Sequence, residues 1–143
     1  MKTALIDTNI ILDVLLDRQP HATASAAVWA AIETGRAKGL VASHAVTTIH
    51  YLIAKELGNT KARHMTRAIV TVFGVAAVDQ PVIHQALELS SADFEDAVTA
   101  AAAALAGCDF IVTRDLKGFR KSSVRPLLPE AFLPMLDPSP DGA

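Results

Sequence analysis

The chain alternates short runs of consecutive apolar residues with longer segments in which apolar residues return every three or four positions. Strands buried on both faces need unbroken apolar runs, and helices resting one side on a core show the longer spacing. The alternation therefore predicts a parallel sheet covered by helices on both faces. Thr3-Ala4-Leu5-Ile6 is the first such run, and it ends at Asp7-Thr8-Asn9, residues that turn and cap. Ile10 to Leu16 reads as a helix, Arg18-Gln19-Pro20 interrupts it, and an Ala-rich helix from about His21 to Thr34 stops at Gly35. Gly39 to Ala42 is the second strand, and Val46, Ile49, Leu52, Ile53 and Leu57 mark a helix that reaches Gly58-Asn59. Thr60 to Val72 forms a further helix, Val75 to Val78 a third strand, and Asp79 caps a helix with Pro81 in its first turn. Ser90 and Ser91 mark a break, after which Asp93 opens a helix of small residues from Phe94 to Ala106, stopped by Gly107. Phe110 to Thr113 is the fourth strand. Val124 to Leu128 fits an edge strand, since Pro126 cannot serve a central ladder, and Pro129 to Leu136 fits a closing helical segment. One domain over 1–136 is expected, with a frayed tail over 137–143 whose turn-forming composition leaves it nothing to bury.

Composition narrows the classes. A chain of 143 residues with 51% hydrophobic and 20% charged residues has the material for one core and is not a disordered polymer. A net charge of -2 excludes a uniformly basic nucleic-acid coat but leaves room for a local basic patch. Cys108 is the only cysteine, so neither an internal disulfide nor a zinc ribbon is available, and a reducing, cytoplasmic setting is expected. The longest uncharged stretches, Ala97 to Cys108 and Ala68 to Val78, fall short of the roughly 18 apolar residues a membrane span requires. Met1-Lys2-Thr3 runs directly into the first strand and leaves no room for a signal peptide, so a soluble protein with no membrane partner is expected.

In an open α/β sheet, ligands gather beyond the carboxyl ends of the strands, where strand order reverses. Three acids fall there: Asp7 after the first strand, Asp115 just past the fourth, and Asp96 in the first turn of the helix that feeds the fourth. If the first and fourth strands are neighbours, the three converge. Two carboxylates roughly 4 Å apart repel by about 4 kcal/mol at an effective dielectric near 20, so convergence calls for a positive charge between them. A hard divalent cation such as Mg²⁺ or Mn²⁺ suits oxygen ligands, and such a site activates water and holds phosphate oxygens. Each acid also has a structural reading. Asp7 is a plausible N-cap, Asp93 and Asp96 stand at the cap and third position of one helix, and Asp115 is a loop acid.

Leu5-Ile6-Asp7-Thr8-Asn9-Ile10-Ile11-Leu12-Asp13, Asp93-Phe94-Glu95-Asp96-Ala97 and Ile111-Val112-Thr113-Arg114-Asp115, in that order, resemble the PIN domain. The resemblance spans nearly the whole chain. It implies a three-layer α/β/α sandwich around a parallel sheet of about five strands, and a Mg²⁺- or Mn²⁺-dependent ribonuclease of the kind found as the toxin half of VapBC toxin-antitoxin pairs. It further implies that Asp7, Asp96 and Asp115 are the metal-binding catalytic acids, with Asp93 one turn from Asp96 beside them. Thr8, Asn9 and Thr113 would support the pocket. The resemblance also implies a homodimer and a cognate antitoxin. Two positions depart from the family pattern. The helix after the second strand usually carries a Glu, whereas Ala45-Val46-Thr47-Thr48-Ile49-His50-Tyr51 contains no acid and Thr48 takes that place; Glu56 lies two turns further on. Gly118 stands where related sequences often have Asp, before Phe119.

Arg114, Lys117, Arg120, Lys121 and Arg125 put positive charge beside Asp115, suited to steering an RNA backbone toward the acids or simply to a solvated loop. His44 and His50 do not share a helix face and His21, His64 and His84 are scattered, so no zinc set is expected; His50 could orient water or a phosphate. Val14, Leu15, Val28, Trp29 and Ile32 suggest more apolar surface on the early helices than a small sheet covers, which self-association would bury. Two other functions stay open. One is a PIN-like scaffold that binds RNA or protein without cutting, given Thr48. The other is a phosphoacceptor signalling domain, for which Asp79 and Lys117 are poorly placed.

Overall fold

The computed structural model describes residues 1–91 and 93–137, so the expected frayed tail lies, from residue 138 onward, outside the described residues. Five parallel strands form one sheet: β1 (Thr3–Ile6), β2 (Lys38–Ala42), β3 (Gly74–Ala76), β4 (Phe110–Val112) and β5 (Arg125–Leu127). Their order is β3-β2-β1-β4-β5, so the direction of winding reverses between β1 and β4. β5 is the edge strand that Pro126 demands. Parallel neighbours need crossovers that return the chain to the same end of the sheet. Helices α1 (Thr8–Leu15) and α2 (Ala22–Glu33) join β1 to β2, α3 (Ser43–Leu57) and α4 (Asn59–Val72) join β2 to β3, and α5 (Gln80–Glu88) and α6 (Phe94–Leu105) join β3 to β4; a segment with a 3₁₀ turn joins β4 to β5, and α7 (Pro129–Phe132) follows β5. This is the three-layer α/β/α architecture.

β1 and β4 carry apolar side chains without alternation because both faces are covered: Ala4, Leu5, Ile6, Ile111 and Val112 are all buried. Fully burying a side chain of the Leu or Ile kind contributes about 1.5–3 kcal/mol each. Ala97 and Ala100 to Ala103 are buried along α6, and their small size lets that helix lie close to the sheet and to α5. The helix then stops at Gly107, whose φ of 73° suits a residue without a Cβ.

The strands and helices fall where the apolar pattern puts them, to within a few residues at their ends. A 3₁₀ turn over Leu116–Phe119 has no counterpart in that pattern, and Leu133–Met135 is a second one that takes over where the closing helix was expected to continue. None of the five residues expected to carry an apolar surplus on the early helices is fully exposed. Val28 and Ile32 are buried, Val14 and Leu15 are half-buried, and Trp29 packs edge-on against Phe73 with ring centroids 4.8 Å apart. One side of the α1–α2 hairpin is therefore core. The exposed apolar side chains include Val75, Ile83, Leu87 and Leu105. No helix among the described residues is long and apolar enough to cross a membrane.

Candidate metal and nucleic-acid site

The switch between β1 and β4 sets the geometry of the site. Ile6 pairs in register with Val112, and the ladder runs one step beyond the strands, with the Asp7 amide donating to the Val112 carbonyl at 2.9 Å. Asp7 and Thr113 thus leave the sheet side by side. The Thr113 hydroxyl donates to Asp7 Oδ2 at 2.8 Å and also accepts from the Asp115 amide at 3.0 Å, so one buried threonine fixes both acids.

The structural readings of Asp7, Asp93 and Asp115 hold, and none uses up the group; the reciprocal cap expected from Asp96 is not formed among the described residues. Asp7 caps α1, its Oδ1 accepting from the Thr8 amide at 2.8 Å. Asp93 caps α6 by accepting from the Asp96 amide at 3.1 Å. Asp115 opens the 3₁₀ turn, its Oδ1 accepting from the Gly118 amide at 3.2 Å. Asp96 differs: among the described residues no donor reaches its carboxylate.

Asp7, Thr8, Asn9, Asp93, Asp96 and Asp115 line one hollow of about 260 Å³, together with Leu12, Glu95 and Thr99. Burial raises the Asp7 carboxyl above its usual range, and so do the charges of Asp115 and Glu95, against the hydrogen bonds from Thr113 and Thr8. Asp96 has no such bonds. Burial first, and then the charges of Asp93, Asp7, Asp115 and Glu95, push it up to about 7. Asn9 adds a buried Oδ1 that has no hydrogen-bond partner among the described residues.

A second hollow of about 460 Å³ shares Asp93, Asp96 and Asp115 with the first and continues past Ser90, Ser91, Lys117, Gly118, Arg120 and Lys121. Acids and cations thus form one continuous surface. Gly118 is the seam: a Cβ there would stand 2.5 Å from Asp96 Oδ2 and 2.8 Å from Asp115 Oδ2.

Arg114 is not part of this rim. Its guanidinium turns to Asp13, Nε to Oδ2 at 2.7 Å and the second nitrogen to Oδ1 at 3.1 Å, while the Ser25 hydroxyl donates to Asp13 Oδ2 at 3.2 Å. Asp13 is wholly buried in α1, so Arg114 neutralises an interior charge and ties the segment between Thr113 and Asp115 to that helix. Its role in the fold replaces the one expected toward RNA, because its fork is already engaged.

Sequence reasoning missed Glu95 and Thr99 as lining residues. Glu95 was legible as a second acid in the first turn of α6, and Thr99 sits one turn on, its hydroxyl bonded to the Glu95 carbonyl at 3.0 Å. His44 is the histidine at the site's edge, not His50. Its Nε2 lies 3.5 Å from Thr99 Oγ1, its buried Nδ1 has no partner among the described residues, and burial lowers its pKa despite the charge of Glu95.

The donor set is carboxylate, amide and hydroxyl oxygen, which suits a hard dication, and the uncompensated Asp96 and orphaned Asn9 oxygen both ask for a positive partner. Among the described residues, as the side chains stand, no three His, Cys, Asp or Glu groups are close enough to hold an ion together. The chemistry fits a metal; full convergence requires the acids to draw in around it.

A family profile described as PIN domain matches residues 3–117. The chain belongs to the PIN domain family. Solved structures with this fold include the DNA-bound VapBC of Salmonella typhimurium, at TM-score 0.72 and 14% identity over 90% of this chain and 99% of that one. VapBC2 of Rickettsia felis, bound to a DNA fragment from its promoter, matches at TM-score 0.71 and 12% identity over 88% and 98%. VapC20 of Mycobacterium tuberculosis, a sarcin-ricin loop cleaving toxin, matches at TM-score 0.62 and 16% identity over 76% and 86%. At such identities the likeness is one of fold. No curated protein matches the sequence.

In this PIN domain, Thr48 does not stand in for the missing helix acid at the hollow. Its hydroxyl donates back to the His44 carbonyl at 3.3 Å, and it is not among the residues lining the acidic hollow. Polar contact from α3 to this region comes instead through His44 and Thr99.

Proposed function

We propose that this PIN domain is a metal-dependent ribonuclease, with Asp7, Asp96 and Asp115 holding Mg²⁺ or Mn²⁺ and Asp93 beside them. The observation that carries the proposal is that three acids from widely separated segments line a single hollow, with Asp96 pushed up to about 7 and no protein donor among the described residues to offset its charge. A bound dication supplies a water of lowered pKa and Lewis-acid stabilisation of the phosphate. The chain's own residues do the rest. Thr113 holds Asp7 and Asp115 in place, and Thr8 fixes one Asp7 oxygen, leaving its geometry rigid. Lys117, Arg120 and Lys121 attract the RNA backbone and lead it to the acids.

The toxin half of a toxin-antitoxin pair is the setting we propose, in keeping with the fold shared with the VapBC complexes. An antitoxin and a homodimer belong to the same proposal, and exposed apolar side chains, Val75, Ile83, Leu87 and Leu105 among them, offer surface for such contacts. Replacing Asp96 by Asn and measuring Mn²⁺-dependent cleavage of RNA tests the proposal: activity should vanish while circular dichroism stays unchanged, and full activity in the variant refutes it.

One observation favours a second reading, a scaffold that binds without cutting. The helix after β2 brings no acid to the hollow, and Thr48 faces its own helix backbone. Calorimetric titration with Mn²⁺ separates the two. A scaffold gives no saturable heat that depends on Asp7.

A further inference from the structure

Charge is not spread evenly along this chain. Between Glu33 and Asp79 it carries Arg36, Lys38, Lys55, Lys61, Arg63 and Arg67 against a single acid, Glu56, although the whole protein has a net charge of -2. Four of these cations lie on the α3–α4 pair, and α4 itself has three and no acid. The one ion pair among the described residues is Arg114 with Asp13, so no carboxylate among them engages an α3–α4 cation.

These charges have a shape. His50, Arg63, Thr66, Arg67 and Val70 line a hollow of about 350 Å³ between the two helices. Arg63 and Arg67 stand one turn apart on α4, and both are exposed. Tyr51, the only tyrosine, follows His50 on α3 and is 63% exposed, an aromatic ring left in water one residue from the lining though not part of it. The Thr66 hydroxyl already donates to the Ala62 carbonyl at 2.7 Å. Arginine forks with an imidazole recognise phosphate, and an exposed aromatic ring stacks on an unpaired base. Together they fit single-stranded RNA better than an acidic peptide, which has no use for the ring.

The groove lies on a helix that starts at the edge of the acidic hollow. His44 meets Thr99 there, and His50 is six residues further, about 9 Å along the axis and on another face of α3.

We propose that the α3–α4 groove is a second contact for the RNA strand, with Arg63, Arg67 and His50 on its phosphates and Tyr51 against a base, a few nucleotides from the point of cleavage. This inference rests on the ribonuclease reading for its substrate class, but its test does not depend on cleavage.

The probe is a fluorescent single-stranded RNA of about 12 nucleotides, within the span such sites take, read in EDTA so that the protein can bind it while the proposed metal-dependent cleavage cannot proceed. Fluorescence anisotropy with the full chain is read over a range of salt. Replacing Arg63 and Arg67 together by Ala should weaken binding about tenfold or more and flatten the salt dependence of log K by about 1–2, because roughly two phosphate contacts are lost. Tyr51→Ala should weaken binding with the salt slope unchanged, and Tyr51→Phe should restore it. Both helices keep their buried faces in these variants, so circular dichroism and melting should match the wild type. Unchanged affinity and slope in the double variant overturn the proposal, as does a wild type that does not bind the probe. Binding of polyglutamate that is lost in the double variant, with RNA binding kept, assigns the groove to an acidic protein segment and likewise overturns it. A wild type that binds RNA through Arg63 and Arg67 but cleaves none supports this groove and overturns the nuclease reading instead.

Discussion

Two aspartates on this chain have been taken out of water to very different effect. Asp13 is wholly buried, yet each of its oxygens meets an Arg114 nitrogen and one also meets Ser25. Asp96 keeps partial contact with solvent, yet no donor among the described residues reaches it and four other acids surround it. Burial alone therefore does not mark a functional carboxylate. The informative quantity is burial without compensation, since a structural charge recruits its counter-ion from the chain and a binding charge leaves that place for a ligand.

Replacing each member of the contrast should give opposite results. Asp96→Asn should reduce metal-dependent RNA cleavage by more than about 100-fold, beyond the loss that follows when only a supporting residue is removed. The same substitution removes a repelled charge, so the metal-free variant should melt no lower than the wild type at about pH 8, above the raised Asp96 value, and a clear fall in melting temperature breaks the contrast. Arg114→Ala leaves Asp13 buried with no cation and should cost about 3–5 kcal/mol, read as denaturant stability. A loss under about 1 kcal/mol equates the pair with an ordinary surface ion pair.

How far the sequence showed this follows from the same contrast. The sheet was legible because β1, β2 and β4 are continuous apolar runs and the helices between them have clear stops, such as Gly35, Gly58 and Gly107. Asp7, Asp96 and Asp115 were legible as acids at strand and helix ends, where a parallel sheet collects ligands. Arg114 was not. It stands in a run of basic residues next to Asp115, and only its pairing with a residue 101 positions away shows that it faces inward. His44 and Thr99 escaped for the same reason, as their proximity joins α3 to α6 across 55 positions. Periodicity reports which face a residue occupies on its own element and is silent about which distant element it meets.

A milder probe of the contrast is pH. The Asp96 carboxyl rises from an ordinary 3.8 to about 7 on folding, so between those values the folded protein holds a proton that the unfolded chain has released. Stability of the metal-free protein should therefore decline as pH rises from about 4 to about 7 on account of this group. Mn²⁺ competes with the same proton, so its affinity should weaken as pH drops below about 7, and its stabilising effect on melting should grow as pH rises. Asp96→Asn should lose this group's share of both trends. A pH dependence identical in the variant and the wild type assigns those trends to other groups.

The smallest expected effect comes from one added carbon. Gly118 lies against both Asp96 and Asp115, and a Cβ there would stand 2.5 Å from one carboxylate oxygen and 2.8 Å from the other. Gly118 does not occupy the left-handed region, so Gly118→Ala imposes no backbone strain and acts through contact alone. The crowded atoms are ends of side chains that can turn, so folding stability should change by less than about 1 kcal/mol. Metal binding has less tolerance, since Mg²⁺ demands nearly ideal octahedral geometry from its oxygens and the added methyl displaces one on each acid. Affinity for Mg²⁺ should fall by about tenfold, the scale of a disturbed supporting contact, with a melting curve close to wild type. Equal Mg²⁺ affinity in the two proteins means that Asp96 and Asp115 do not draw in together around an ion, and the contrast with Asp13 then reduces to a difference in burial.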